Sequence, residues 1–167
     1  YGEISDYIII GVTPSLESKN NSSLIYMINK LIKKSTKEES QFLMNSNIFY
    51  SLTKKLEIEN KKYIVYGLSH ALLDLLDGKD YDLKKSIFIE TGGMKGLRDE
   101  IEKDKLHKII SDGFNTNNVH SEYAMTELLS QSYSTGKQVF ITPPWKKVLI
   151  KDFNDPLKVQ RHGRGFL

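Results

Sequence analysis

The chain has 167 residues, long enough for one domain with a real core, and 39% apolar against 27% charged residues describes a globular protein rather than a disordered one. Its formal charge of +3 comes from 24 basic and 21 acidic residues scattered along the chain, which leaves no electrostatic footprint for nucleic acid. There is no cysteine, so disulfides, thiolate metal sites and a cysteine nucleophile are excluded, and no apolar run approaches the roughly 20 residues that span a bilayer. Residues 1–6 do not read as a signal peptide, and the expected location is cytoplasmic.

In chain order, Tyr7-Ile8-Ile9-Ile10-Gly11-Val12 reads as a buried strand closed by Thr13-Pro14. Asn20-Asn21-Ser22-Ser23 offers helix caps, after which Leu24, Met27, Ile28, Leu31 and Ile32 recur at helical spacing. Residues 33–40 form a charged connector. Phe42-Leu43-Met44 reads as a short strand, followed by a helix over 48–56. Lys62-Tyr63-Ile64-Val65-Tyr66-Gly67 is the next strand, leading into a helix that carries Leu72, Leu73, Leu75 and Leu76.

Ser86-Ile87-Phe88-Ile89-Glu90 is a further strand, ended by Thr91-Gly92-Gly93, and Leu97, Ile101, Leu106, Ile109 and Ile110 predict a helix over 97–110. His107, beside Lys105 and Lys108, falls on its wet face. Val119 closes a last short strand, and a helix is expected to begin near Met125. Gln138-Val139-Phe140-Ile141 and Lys147-Val148-Leu149-Ile150, split by Pro143-Pro144-Trp145, suggest an antiparallel or edge region.

Strands alternating with crossover helices imply one α/β domain over residues 1–167, a mostly parallel sheet with helices on both faces. Ligands in such sheets bind beyond the carboxyl ends of strands. Three polar junctions fall there: Gly67-Leu68-Ser69-His70, Glu90-Thr91-Gly92-Gly93 and His120-Ser121-Glu122-Tyr123-Ala124-Met125-Thr126-Glu127.

In the third junction, a helix starting at Met125 would aim free N–H groups at a phosphate, with Thr126 touching a phosphate oxygen and Glu127 holding a metal that rides on it. The same residues suit an ordinary helix cap, and spacing alone leaves both readings open. The glycines of Thr91-Gly92-Gly93-Met94-Lys95-Gly96 would let backbone approach a ring or a phosphate, with Lys95 and Arg98 available for its charge, or would simply form a turn. Gly67-Leu68-Ser69-His70-Ala71 approaches a nucleophile elbow, with Asp152 or Asp155 and then His162 in the required order, so a serine esterase is a rival reading. His120 ends a strand, where a structural hydrogen bond suits it better than proton transfer. No set of histidines and carboxylates has zinc-ligand spacing.

Ile89-Glu90-Thr91-Gly92-Gly93-Met94-Lys95-Gly96 and the run from His120 through Glu127 to Leu128-Leu129-Ser130-Gln131 resemble the acyl-protein synthetases (LuxE-type), which activate fatty acids for bioluminescence aldehyde synthesis. Asn21-Ser22-Ser23-Leu24-Ile25-Tyr26-Met27, Pro143-Pro144-Trp145 and Asn154-Asp155-Pro156 match the family pattern in the same order, so the resemblance covers nearly the whole chain. It implies the central part of the large domain of an adenylate-forming ligase, similar also to phenylacetate-CoA ligases. Such a ligase uses ATP and Mg²⁺ to make an acyl-AMP from a carboxylic acid, here a long-chain fatty acid, and passes the acyl group to an acceptor protein or coenzyme A.

The superfamily motif Tyr-Gly-x-Thr-Glu is matched by Tyr123 to Glu127. The resemblance places Thr126 on the α-phosphate, Glu127 on Mg²⁺ and Tyr123 against adenine, and makes Gly92, Gly93 and Met94 the lining of the adenine and acyl pocket. Ala124 stands where the motif has Gly, which would cost about 1 kcal/mol if that position needs positive φ. The family's Ser/Thr/Gly-rich phosphate loop is expected before Tyr1. Its ribose-binding Asp, Lys-bearing lid and acyl-accepting cysteine are expected after Leu167, so the chain reads as a fragment with little turnover alone. A non-catalytic nucleotide- or partner-binding module of the same fold is the alternative.

Overall fold

The computed structural model describes residues 2–15, 21–76, 78–94, 96, 99–125, 127–135, 139–155 and 157–165. The strands are β1 (Ile8–Val12), β2 (Gln41–Phe42), β3 (Tyr63–Leu68), β4 (Ser86–Thr91), β5 (Val119–Tyr123), β6 (Ser132–Ser134), β7 (Phe140–Ile141), β8 (Ile150–Lys151) and β9 (Val159–Gln160). The helices are α1 (Ser23–Ser35), α2 (Ser46–Ile58), α3 (Ser69–Asp74) and α4 (Lys103–Phe114). A seven-stranded sheet runs in the order β2-β1-β3-β4-β5-β6-β7. β1 to β5 pair in parallel, whereas β6 and β7 add antiparallel, and β8 pairs with β9 in a separate ribbon. The α/β class and mostly parallel sheet read from the sequence are what the structure has.

β1 and β3 are apolar on both sides because helices cover both faces of the sheet. α2, α3 and α4 bury Phe49, Leu56, Leu72, Leu106 and Phe114 on one face, against Ile8, Val65 and Phe88. α1 covers the other face, its Ile28 packing with Ile9, Ile64, Tyr66 and Ile89. Gly11 permits this close approach, since a Cβ there would lie 2.8 Å from Ile28 and 2.7 Å from Phe42.

Local chemistry sets the helix ends. Ser22 Oγ accepts from the Ile25 N–H, and Asn45 Oδ1 accepts from the N–H groups of Asn47 and Ile48. Thr36, Asn60 and Asn115 take positive φ where α1, α2 and α4 stop, a conformation Asn tolerates through its short polar side chain.

Two expected elements need correction, and one strand was unforeseen. The helix expected over 97–110 runs from Lys103 to Phe114, and residues 99–102 are irregular. No helix starts at Met125: described residues 124, 125 and 127–131 form a turn, with the Leu128 N–H donating to Met125 O. The apolar pair after the motif has no sheet to cover, and Leu129 is 104% exposed. β6 was missed altogether, because Ser132-Tyr133-Ser134 carries little apolar signal.

Candidate functional site

The carboxyl ends of β3, β4 and β5 and the first turn of α1 enclose a cleft of about 770 Å³. Leu24, Met27, Leu68 and Phe140 supply apolar wall, and Thr91, Gly92, Lys103, Glu122 and Tyr123 supply its polar groups. The second and third junctions of the sequence therefore meet in one cavity. The first meets them through β3, whose Gly67 and Leu68 pair with Glu90 and Thr91.

Below the Gly92 turn lies a buried polar cluster. Glu90 is fully buried at the end of β4. Ser69 Oγ donates to its Oε2 at 2.6 Å, Lys103 Nζ lies 2.8 Å from both carboxylate oxygens, and Ser121 Oγ donates to Oε1. His107 Nε2 stands 3.4 Å from Oε1 and 2.8 Å from Ser121 Oγ. Burial pushes the Glu90 carboxyl up, but hydrogen bonds from His107, Lys103, Ser121 and Ser69 outweigh it and hold the group at about 2, against an ordinary 4.5. Lys103 Nζ also donates to Gly92 O at 3.3 Å, tying the buried carboxylate to the turn above it.

On the opposite face of the sheet Glu122 has a different environment. It pairs in register with Tyr133 of β6 and is 8% exposed. Its Oε1 accepts a long hydrogen bond, 3.4 Å, from Thr91 Oγ1, and among the described residues nothing reaches its Oε2. Burial raises the carboxyl to about 7, with the Tyr133 hydroxyl pulling the other way. Burial and the Glu122 carboxyl in turn push the Tyr133 phenol up.

No protein-family model matches this chain, and no curated protein matches it. Each site residue therefore stands on its own geometry.

Gly92, exposed at the cleft, takes φ +74, which only glycine adopts readily. Gly93 takes no left-handed conformation, and a Cβ there would meet only the Glu100 carboxylate at 3.5 Å. Met94, expected in the pocket lining, is 1% exposed within the hydrophobic core beneath the turn. Tyr123 lines the cleft with its ring edge against Phe140 and the Lys146 ammonium 4.9 Å from its centroid. Ala124 is exposed with no positive φ, so alanine carries no backbone strain there. Glu127 is exposed on the turn, while Thr126, Lys95 and Arg98 lie outside the described residues. Among the described residues no group of three or more His, Asp or Glu could hold a metal ion by itself, and no helix is long and apolar enough to cross a membrane.

Ser69 is fully buried, and its hydroxyl donates to Glu90 and lies 3.2 Å from Thr91 O and Gly92 O. An elbow serine has to present its hydroxyl to substrate, so this geometry does not favour the esterase. His120 makes a structural bond, its Nδ1 standing 2.8 Å from Ser134 O, and burial lowers its pKa. His107, expected on a wet face, instead turns inward to Ser121 and Glu90. Sequence reasoning missed Glu90, Lys103, His107 and Ser121 as a cluster. The available signal was Lys103 and His107 four residues apart, on one helix face beside a strand ending in glutamate.

Proposed function

We propose that this chain is the acid- and nucleotide-binding part of an adenylate-forming ligase, which activates a carboxylic acid with ATP and passes the acyl group to a protein thiol or coenzyme A. One observation carries the reading: the Gly92 turn and the Tyr123 motif, far apart in sequence, line the same cleft at the carboxyl ends of parallel strands. Adenylation asks a protein mainly to position two reactants and balance phosphate charge. In this reading the Tyr123 ring carries the adenine and the exposed Gly92 backbone lets it approach. Thr126 contacts the α-phosphate. Glu127 holds a Mg²⁺ that arrives on the triphosphate with its own waters, which is why a single carboxylate suffices. Leu24, Met27 and Leu68 receive the apolar part of the acid. The helix whose start borders the cleft is α1, through Ser23, rather than one after Met125.

The test is a titration of the chain with ATP and Mg²⁺, followed by backbone amide resonances. The reading expects shifts at Gly92, Tyr123 and Glu127, weakened by Thr126→Ala plus Glu127→Ala. ATP binding that the double variant leaves unchanged would remove the assigned roles. A non-catalytic module of the same fold is the second reading, favoured by the turn that replaces a helix after Met125. It expects the same resonance shifts with no pyrophosphate exchange.

A further inference from the structure

Glu122 is a buried acid at the wall of the cleft with half of its hydrogen-bonding capacity unused. Buried polar groups are seldom left so, because an unmet partner is costly. Thr91 Oγ1 donates to Oε1, which makes Oε1 the acceptor and leaves Oε2 to carry the proton when the group is neutral. Among the described residues no hydrogen bond reaches Oε2, although the nearby Tyr133 hydroxyl acts on the carboxyl. Oε2 is itself sealed from solvent, so an acceptor in the cleft that Glu122 lines meets it only once the terminal side-chain torsion turns.

The surroundings narrow its chemistry. Lys103 is the one cation among the described lining residues, and Leu24, Met27, Leu68 and Phe140 make the wall apolar. We propose that Glu122 is the carboxylate-binding group of the cleft, its Oε2 donating to a carboxylate oxygen of an acid whose apolar tail lies against Leu24, Met27 and Leu68. This rests on the reading of the cleft as an acid-binding site and adds the residue that holds the acid's head. An O–H···O⁻ bond is among the stronger hydrogen bonds available, and the one cation of the described lining, Lys103, is already paired with Glu90. Rotation about the terminal side-chain bond of Glu122, a soft torsion, brings Oε2 to the ligand.

Binding then requires the protonated form, so affinity falls as Glu122 ionises. With the carboxyl titrating at about 7, the protonated fraction and the affinity drop about tenfold between roughly pH 6 and pH 8. The groups facing Glu122 are Thr91 on β4, Tyr133 on β6 with Tyr66 of β3 behind it, His120 on the same face of β5, and Lys103 across the cleft. The Tyr133 phenol is pushed above its ordinary value and the His120 imidazole below its own. Neither therefore reproduces a fall centred near 7.

The experiment is a calorimetric titration of the chain with octanoate at about pH 6 and about pH 8, without ATP. Octanoate itself stays ionised throughout, an aliphatic carboxyl titrating near 4–5 (about the range of Glu). The wild type is expected to bind about tenfold more weakly at the higher pH. Glu122→Gln keeps a donor that does not titrate and should bind equally at both, while Glu122→Leu should bind weakly at both, with folding of each checked by its amide spectrum. Wild-type affinity unchanged between the two pH values, octanoate binding by Glu122→Leu as tight as the wild type's, or no octanoate binding at all would overturn the proposal. Octanamide binding that strengthens at the higher pH would overturn it too, by making the ionised carboxylate an acceptor. Acid-dependent pyrophosphate exchange without this pH dependence rejects only the role of Glu122. The pH dependence without exchange rejects only adenylation.

Discussion

Glu90 and Glu122 end adjacent parallel strands and point to opposite faces of one sheet, and their environments drive their titrations apart. Glu90 pairs in register with Ser121, one residue before Glu122, and turns toward α3 and α4. Glu122 turns toward Thr91 and Tyr133. The first carboxyl is saturated with donors and held at about 2, whereas the second is buried with almost none and raised to about 7.

Opposite titrations give stability a maximum in pH. Glu90 has its lower pKa when folded, so its contribution is complete above about 4.5 and is lost as pH falls toward 2. Glu122 has its higher pKa when folded, so its contribution is complete below about 4.5 and is lost as pH rises through 7. Each limb amounts to about 3 kcal/mol at most. Thermal unfolding should therefore peak near pH 4.5 and fall toward both pH 2 and pH 7, and Glu122→Gln should flatten the alkaline fall while leaving the acid one. A wild-type melting temperature that keeps rising to about pH 9 would contradict this.

Within the cluster the two partners are unequal. Glu90→Gln leaves the half-exposed Lys103 and His107 facing a neutral amide and should cost about 1–2 kcal/mol in urea unfolding. Lys103→Met leaves the fully buried Glu90 carboxylate with only Ser69, Ser121 and His107, and should cost about 3–5 kcal/mol. A smaller loss for Lys103→Met than for Glu90→Gln would mean that the serines and His107 hold the carboxylate without the ammonium.

The adjacent glycines separate backbone need from space. Gly92→Ala forces a side chain into φ +74 and should destabilise by about 1–2 kcal/mol. Gly93→Ala places a methyl in ordinary contact with Glu100 and should be close to neutral. Denaturant midpoints of the two variants decide the point.

Ser69 should not react with a fluorophosphonate probe, because its hydroxyl is buried and committed to Glu90. Labelling at Ser69 in the folded protein would restore the esterase.

The parts of the fold legible in the sequence are those where burial on both faces writes a continuous apolar run, as in β1, β3 and β4, and where Ser22 caps a helix with clear periodicity. Met125, Leu128 and Leu129 have helical spacing but no face to bury, so the pattern misled. α4 begins only at Lys103, whose Nζ reaches Glu90, and an ion pair to a residue outside the helix does not mark where the helix starts. Of the site, the meeting of Gly92 and Tyr123 followed from both lying at strand ends. The contrast between Glu90 and Glu122 did not, since strand alternation names opposite faces without saying which face holds donors.

Carboxylate-dependent exchange of pyrophosphate into ATP, measured on the gene product that carries this chain, tests the central claim most directly. The account predicts exchange with an apolar carboxylic acid, abolished by Thr126→Ala plus Glu127→Ala. No exchange across a panel of straight-chain and aromatic acids would contradict it.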